Sequence, residues 1–288
     1  MNSQVPIHVV VSPARNEEKF IERTIRSMID QTVKPTLWVL VDDGSTDRTA
    51  EIVLRYSDKI PWMRLLRLED RGYYHYGTGI VNAVNAGIAV VELDAYDYIT
   101  KLDCDLEFES DYFEKLFSEF EKDNSLGIAG GQQYVFEHGE WRDEKVIKYF
   151  APGPAKTYKK KVFDQIGGLF PSPGWDTMDA VRAWSFGWST RVVSNCRIHH
   201  LRRTGANVNT SLNYAKTFYI LGGHPLFLLA RCLYRLLDRP VLIGSAMTLL
   251  GYFWFASVGR PQKWPDPADR KSLRSFQMSR LLGARREK

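Results

Sequence analysis

The chain has 288 residues, 44% hydrophobic and 25% charged, so it can bury a core in one large domain or in one domain with an appendage. Its three cysteines are too scattered for a disulfide framework or a zinc site, which fits a reducing cytosol. The net charge of +5 hides an asymmetry: residues 197–288 hold 16 Lys and Arg against 4 Asp and Glu (+12), and residues 1–196 hold 23 against 30 (−7).

Short apolar runs alternate with amphipathic stretches over the first hundred residues. The predicted strands are residues 7–11, 36–41, 63–68 and 97–102, and the predicted helices are residues 17–30, 47–56 and 80–91. This alternation is typical of a mostly parallel central sheet flanked by helices, where ligands bind beyond the carboxyl ends of the strands. The first run is too short for a secretory signal peptide, so we expect a domain that is not exported.

A polar segment follows each predicted strand. These segments are residues 12–18, 42–47, 72–79 and 103–105. Asn16 and one residue of the range 45–47 are good helix N-caps, but capping does not explain Asp42 and Asp43 together. We therefore expect ligand-binding side chains at this edge of the sheet.

Asp103 and Asp105 follow the fourth predicted strand as an Asp-x-Asp motif. Carboxylate oxygens suit hard cations such as Mg²⁺ or Mn²⁺, which take further ligands from substrate phosphates and water. A short acidic pair can also belong to a loop or a helix cap. The polar segments after the other three strands favour a cation that clamps a diphosphate.

Three of these segments resemble, in order and spacing, the motifs of the family-2 glycosyltransferases of the GT-A fold. They are Pro-x-x-Asn-Glu-Glu at residues 13–18, Asp-Asp-Gly-Ser-x-Asp at residues 42–47 and Asp-x-Asp at residues 103–105. In that family the first two hold the nucleoside of a sugar nucleotide, and the third binds the diphosphate through a metal. The resemblance covers roughly residues 5–205 and implies transfer with inversion at the anomeric carbon.

The resemblance also implies which residues bind the ligands. Asp103, Asp105 and His200 are the expected metal ligands, with His199 as the alternative to His200 in the segment 199–205. Gly77 lies in a loop that resembles the one before the family's donor-site helix, although a flexible turn explains it equally well. The residues expected to bind the nucleotide sugar are Pro13, Ala14, Arg15, Asn16, Glu17, Asp42, Asp43, Gly77, Asp103 and Arg202.

The middle of the chain has an antiparallel or mixed strand pattern. The predicted strands are residues 127–135, 146–150 and 159–163, and a turn is predicted at residues 167–169. In the segment that follows, Asp176 and Arg182 match the family's catalytic acid and the basic residue six positions later. Asp176 is the expected catalytic base, because a positioned carboxylate can take the proton of an acceptor hydroxyl. Asp179 is the alternative, since one of the two acids can simply favour the start of a helix.

The last third of the chain combines basic and apolar residues. Residues 241–258 form an 18-residue run without a charge, close to the lower limit for crossing a bilayer, but basic residues flank it on both sides. An interfacial helix pair or a re-entrant hairpin on an anionic membrane reconciles these facts. The alternative is that these helices pack as core or in a dimer. No nucleic-acid module is recognisable, so we expect no nucleic-acid partner.

These observations predict a GT-A-like catalytic domain at residues 1–210 and a helical, basic, membrane-associating region at residues 211–288. The expected activity is metal-dependent, inverting transfer of a sugar from a nucleoside diphosphate sugar to a lipid-linked or glycan acceptor, at the cytoplasmic face of a membrane. One alternative is a sugar-nucleotide pyrophosphorylase, but its glycine-rich basic loop is absent from residues 12–18. The other is a non-catalytic sugar-nucleotide-binding or membrane scaffold protein, which would not need Asp176 beside the donor site.

Overall fold

The computed structural model describes residues 6–72, 77–137, 139–144, 147–202, 208–236 and 241–283. The chain divides into two compact units, Met1–Pro171 with Phe186–Arg203, and Ser172–Ser185 with Thr204–Lys288. The division at residue 210 remains a sequence-based prediction.

The first unit contains a mixed sheet flanked by helices. Its strands are β1 (His8–Ala14), β2 (Leu37–Asp43), β3 (Met63–Leu68), β4 (Tyr98–Leu102), β5 (Leu106–Phe108), β6 (Leu126–Glu137), β7 (Glu140–Asp143), β8 (Ala155–Lys159) and β9 (Ser189–His200). Its helices are α1 (Ile21–Ile29), α2 (Thr49–Ser57), α3 (Thr78–Ala89), α4 (Tyr112–Lys122) and α5 (Lys160–Gln165).

The described strands form one nine-stranded sheet in the order β3-β2-β1-β4-β8-β6-β9-β5, with β7 paired to β6. Strands β1 to β4 are parallel, and β1 pairs with β2 on one side and with β4 on the other. The residues that follow these four strands therefore lie at one edge of the sheet. The predicted alternation of strands and helices in the first hundred residues is confirmed.

Apolar periodicity explains the helices that cover the sheet. Ile21, Ile25 and Met28 recur at helical spacing on α1 and are fully buried. On α4, Phe113, Phe117 and their neighbours pack into the same core. Both strands β1 and β2 are buried almost throughout, as expected for parallel strands covered on both faces.

Two of the strands predicted in the middle of the chain are wrong. Residues 159–163 are not a strand, because β8 ends at Lys159 and α5 begins at Lys160, with Val162 and Phe163 buried in the helix. The buried pair Val162 and Phe163 thus belongs to this short helix. The pattern also missed β8, which buries Lys156 with its ammonium 5.3 Å from the centre of the Phe150 ring.

Residues 147–150 form a turn instead of the predicted strand. The Phe150 amide donates to the Ile147 carbonyl at 2.8 Å, and the Lys148 carbonyl accepts from the Val192 amide of β9 at 2.6 Å. The backbone therefore contacts β9 without joining the sheet. Val146, where the prediction began, lies outside the described residues. The strand at residues 127–135 and the turn at residues 167–169 are confirmed.

The second unit is helical. Its helices are α6 (Trp175–Ser185), α7 (Val208–Ile220), α8 (Pro225–Tyr234), α9 (Ile243–Trp254) and α10 (Pro267–Leu281), and a π-helical segment, Phe255–Gly259, continues α9. Phe218, Leu228 and Cys232 form a small core between α7 and α8. Within the part of the chain that the structure describes, no helix has both the length and the apolar character needed to cross a bilayer.

We predict that His8 makes folding sensitive to acid. Its buried ring packs 4.8 Å from the rings of both Phe113 and Phe117. Burial lowers the pKa of His8 to about 4, more than the Pro6 carbonyl raises it. The unfolded side chain has a pKa of 6.5. The free energy of unfolding should therefore fall by up to about 3 kcal/mol as the pH decreases from above 6.5 towards 4, because the unfolded state binds the proton first.

The measurement is urea unfolding between pH 7.5 and pH 4 for the wild type and His8→Leu. Carboxylates also titrate in this range, so the difference between the two proteins isolates His8. We expect a shallower loss of the free energy of unfolding in the variant. Parallel pH profiles would show that His8 is not responsible.

Candidate functional site

The loops that follow β1 and β2 are joined by hydrogen bonds between the two predicted motifs. Asn16 adopts a left-handed conformation (φ 57°), and its backbone amide donates to Ser45 Oγ at 3.0 Å. Its side-chain oxygen accepts from the Thr46 amide at 2.9 Å, and the Glu17 amide donates to Thr49 Oγ1 at 2.7 Å. These contacts fix the two loops against each other.

Asp47 lies one residue before the N-cap of α2, which is Arg48, and binds backbone amides of both loops. Its carboxylate accepts from the Thr49 amide at the start of α2 (2.9 Å) and from the Glu18 amide in the loop after β1 (3.1 Å). Glu18 in turn accepts from the Arg48 amide at 3.2 Å. Asp47 and Glu18 therefore accept hydrogen bonds from the backbone of the two loops.

Asp42 and Asp43 end β2 and are buried. Asp42 accepts from the Ser45 amide at 2.9 Å and lies 3.5 Å from Arg67 Nε. Asp43 pairs with Arg71, yet burial outweighs Arg71 and Arg15 and raises the pKa of Asp43 above its ordinary value. The two acids thus have cationic partners within the same loop cluster.

Arg15 joins the loop after β1 to the segment after β3. One guanidinium nitrogen donates to the Asp43 carbonyl, and another lies 2.7 Å from Asp70 Oδ1. Pro13 and Ala14 lie in β1, and Ala14 is opposite Asp42 in the sheet. Gly77 has a φ of 73° at the start of α3, and residues 73–76 of its loop lie outside the described residues.

Asp103 is held by a buried lysine. Lys101 Nζ lies 2.6 Å from Asp103 Oδ1 and donates to the Gly153 carbonyl at 2.8 Å. Burial and the nearby Asp105 raise the pKa of Asp103, although the Lys101 ammonium opposes them. Sequence reasoning missed this lysine, because a lysine inside an apolar strand carries no sign of its partner.

Asp105 contacts His200, the last residue of β9, and Arg202, which follows that strand. His200 Nε2 lies 3.3 Å and Arg202 Nε lies 3.1 Å from Asp105 Oδ2, and Arg202 also pairs with Glu17. Burial favours the neutral acid, but the hydrogen bond from His200 and the charges of His200 and Arg202 hold the pKa of Asp105 below its ordinary value. Burial, opposed by Arg202, raises the pKa of Glu17 to about 7.

The pairing of β5 with β9 explains how His200 comes to Asp105. Leu106 lies opposite His200, and the Leu201 amide donates to the Asp105 carbonyl at 2.8 Å. Adjacent side chains of a strand point to opposite faces, so His199 lies elsewhere, with its ring 4.4 Å from that of Trp141. Of the two histidines, the structure brings His200 to Asp105.

Thr24 of α1 hydrogen-bonds the backbone of the Asp-x-Asp loop. Its buried hydroxyl lies 2.8 Å from the Cys104 carbonyl and accepts from the Leu106 amide at 3.2 Å. No sequence signal distinguishes this threonine from an ordinary helix residue. It fixes the backbone on both sides of Asp105.

The donor set at Asp105 fits part of a metal site. Among the described residues, no group of three or more His, Cys, Asp or Glu side chains is arranged to hold a metal ion. Asp105 and His200 nevertheless bring a carboxylate oxygen and an imidazole nitrogen to one point. Metals that bind diphosphates usually take their remaining ligands from phosphate oxygens and water, so two protein ligands are compatible with such a site.

The second unit carries the predicted catalytic acid. Asp176 lies in the first turn of α6 and is partly exposed, whereas Asp179 on the same helix is 5% exposed. Before the helix, Gly174 has a φ of 79°, and an added Cβ would lie 2.6 Å from Leu221. Glycine is therefore required where α6 begins against α7. Asp176 belongs to the second unit and Asp105 to the first.

Arg182, the basic residue six positions after Asp176, has a partner that the sequence did not reveal. Its Nε lies 3.4 Å from Asp269 Oδ2 in α10, and the same carboxylate oxygen accepts from Trp264 Nε1 at 2.9 Å. Burial raises the pKa of Asp269 against the influence of Trp264 and Arg182. Arg182 thus ties α6 to the C-terminal helix.

A family model described as glycosyl transferase family 2 matches residues 9–173. Glycosyltransferase GlyA of Streptococcus pneumoniae is 27% identical over 191 residues, which are 65% of this chain and 25% of that protein. Chondroitin synthase of Escherichia coli is 33% identical over 126 residues, which are 44% of this chain and 17% of that protein. The chain therefore spans a quarter or less of the length of these two relatives.

Solved structures show the same fold at low identity. A mannosyltransferase from Pyrobaculum calidifontis in complex with GDP-Man and Mn²⁺ is 13% identical, with a TM-score of 0.58 over 98% of this chain and 88% of that chain. Residues 1–349 of TarS from Staphylococcus aureus in complex with UDP are 14% identical, with a TM-score of 0.58 over 98% and 93% of the two chains. These similarities identify a GT-A-like α/β fold with a mixed sheet flanked by helices.

We predict that Arg182 stabilises the second unit through Asp269. Arg182→Ala should lower the free energy of unfolding by about 1–3 kcal/mol, because it leaves a largely buried carboxylate without its cation. In a double-mutant cycle with Asp269→Asn, the double variant should lose at least about 0.5 kcal/mol less than the sum of the two single losses. The exposed pair of Arg26 and Glu22 is the control, with a smaller coupling expected. Strictly additive losses for Arg182 and Asp269 would contradict the contact.

Proposed function

The chain belongs to glycosyl transferase family 2, and we propose that it transfers a sugar from a nucleoside diphosphate to an acceptor hydroxyl, with inversion at the anomeric carbon. The observation that carries this proposal is the meeting of polar residues from β1, β2, β4 and β9 at one edge of the first unit's sheet. There, Asp105 lies within 3.3 Å of both His200 and Arg202.

The nucleoside would bind at the joined loops after β1 and β2. Pro13 and Ala14 at the end of β1 would line this region together with Arg15 and Asn16, and Asp42 and Asp43 would supply its buried carboxylates. The hydrogen bonds between Asn16 and the range 45–46 support this assignment, because they hold the loops in place before a ligand arrives. A preformed site loses less entropy when it binds.

The diphosphate would bind beside Asp103 and Asp105. Asp105 and His200 would hold a divalent cation, Mg²⁺ or Mn²⁺. Asp103, which pairs with Lys101, would be a further ligand. The cation would supply Lewis-acid stabilisation of the diphosphate leaving group. Arg202 would add positive charge at the same point, and Glu17 would orient Arg202 through their ion pair.

Asp176 is the proposed base. In an inverting transfer, the acceptor hydroxyl attacks the anomeric carbon as the bond to the diphosphate breaks, and the carboxylate takes the hydroxyl proton. Its partly exposed position in the first turn of α6 supports this role, because an acceptor can reach the carboxylate there. Asp179 is a weaker candidate, because its burial limits access to an acceptor.

The acceptor proposed here is lipid-linked and lies at the cytoplasmic face of a membrane. Support comes from the second unit, where α8 and α9 expose large apolar side chains next to basic residues. Incubating the full chain with a panel of radiolabelled sugar nucleotides and with lipid-linked or water-soluble glycan acceptors tests this. Label in the lipid extract supports the proposal, and label only in soluble glycan contradicts the lipid-linked acceptor.

Asp105→Ala should remove the metal-dependent part of donor binding. The variant loses a carboxylate ligand, so we expect the affinity for nucleoside diphosphates in Mn²⁺ to fall by about 10–100-fold or more. Calorimetric titrations in Mn²⁺ and in EDTA measure this. Glu107→Gln is the matched control, because Glu107 lies two residues on and pairs with Arg23. Equal metal-dependent affinity in the wild type and Asp105→Ala would refute the assignment.

Asp176→Asn should separate binding from chemistry. Because the proposed base acts on the acceptor, the affinity for donor and metal should stay nearly unchanged while turnover falls by about 10²–10⁴. Asp179→Asn is the comparison, measured per folded molecule, since its burial predicts a loss of stability instead. An inactive Asp179→Asn beside an active Asp176→Asn would place the base at Asp179. Two active variants would contradict the proposed mechanism.

A further inference from the structure

Helix α9 has its large apolar side chains on the outside. Leu250, Phe253 and Trp254 are 64%, 65% and 53% exposed. Ser245, Thr248 and Gly251 occupy the opposite, buried side of the same helix. A helix on a water-soluble protein has the reverse distribution, with apolar residues inside and polar residues outside.

Close packing fixes this orientation. Ser245 Oγ donates to the Cys232 carbonyl of α8 at 2.9 Å, and Thr248 Oγ1 donates to the Gly244 carbonyl at 2.8 Å. A Cβ added to Gly251 would lie 3.0 Å from Leu212 and 3.1 Å from Ala215, both of α7. Small residues at a helix contact with apolar residues facing outward are typical of helices that contact lipid.

Helix α8 shows a second exposed apolar side. Leu226, Leu229 and Leu233 are exposed and recur at i, i+3 and i+7, which places them on one side of the helix. Leu228 and Cys232 of the same helix pack against Phe218 in the small core. The exposed leucines are therefore additional to what this core requires.

The charge around these helices is positive. Residues 208–265 contain six Lys and Arg but a single acid, Asp238. Among the described basic residues, Arg235, Arg260 and Lys263 are exposed. Tyr234 and Trp254 are exposed as well, and such side chains favour the boundary between acyl chains and headgroups.

We propose that the exposed sides of α8 and α9 dock on the surface of an anionic lipid bilayer. We call this surface, Leu226, Leu229, Leu233, Leu250, Phe253 and Trp254, the apolar face. It enters the bilayer in the interfacial plane without crossing it, in keeping with the length of the described helices. Basic residues beside it meet the lipid phosphates. A second copy of the chain is a poorer occupant, because it would bring the same positive charges to the contact.

Vesicle flotation of the full chain tests this proposal. The triple variant Leu250→Gln, Phe253→Gln, Trp254→Gln changes only exposed side chains, so the fold should survive, as circular dichroism can verify. We expect its partition onto vesicles with 30% phosphatidylglycerol to fall by more than about tenfold. The matched control, Leu54→Gln, Val90→Gln, Phe186→Gln, replaces exposed apolar residues of the first unit and should float like the wild type.

A second pair of substitutions tests the contribution of the basic residues to vesicle binding. Arg260→Gln with Lys263→Gln should weaken flotation on anionic vesicles and leave the weaker binding to pure phosphatidylcholine unchanged. Asp105→Ala should float like the wild type, so that a failure of docking and a failure of the proposed sugar transfer remain distinguishable. Flotation unaffected by the triple variant would overturn the proposal. So would a wild-type protein that ignores vesicles and forms a dimer that the triple variant dissociates.

Discussion

The parallel pairing of β1 with β2 and with β4 is the constraint on which the donor region depends. It brings the ends of three strands to one edge of the sheet, so that residues far apart in the chain meet. The antiparallel pairing of β5 with β9 then returns His200 to Asp105 from nearly one hundred residues later. Without both pairings, the Asp-x-Asp motif would be an isolated acidic pair.

Balanced charge is what allows so many acids to be buried at this edge. Asp42, Asp43, Asp103 and Asp105 each have a cationic partner, which are respectively Arg67, Arg71, Lys101 and the pair His200 and Arg202. A buried carboxylate without such a partner would be neutral or would destabilise the fold. Of these cations, Arg202 brings its positive charge to Asp105, where the proposed diphosphate would arrive.

The sequence predicted the features that depend on local pattern. The alternation of apolar and amphipathic segments predicted the first four strands and three helices, because buried parallel strands form short apolar runs and helices bury one side at a period of 3.6 residues. The sequence did not predict the partners of the charged residues. Lys101, Thr24 and Asp269 act through contacts that only the folded chain creates. Residues 159–163 were mistaken for a strand because two adjacent apolar residues, Val162 and Phe163, are too few to show either period.

The most direct test of the account is a crystal structure with Mn²⁺ and a nucleoside diphosphate, read from the anomalous signal of manganese. The account predicts a manganese peak within about 2–2.5 Å of an Asp105 carboxylate oxygen, with diphosphate oxygens among its ligands and the Arg202 guanidinium close to the phosphates. A manganese peak elsewhere, or a diphosphate bound away from Asp105 and His200, would contradict it.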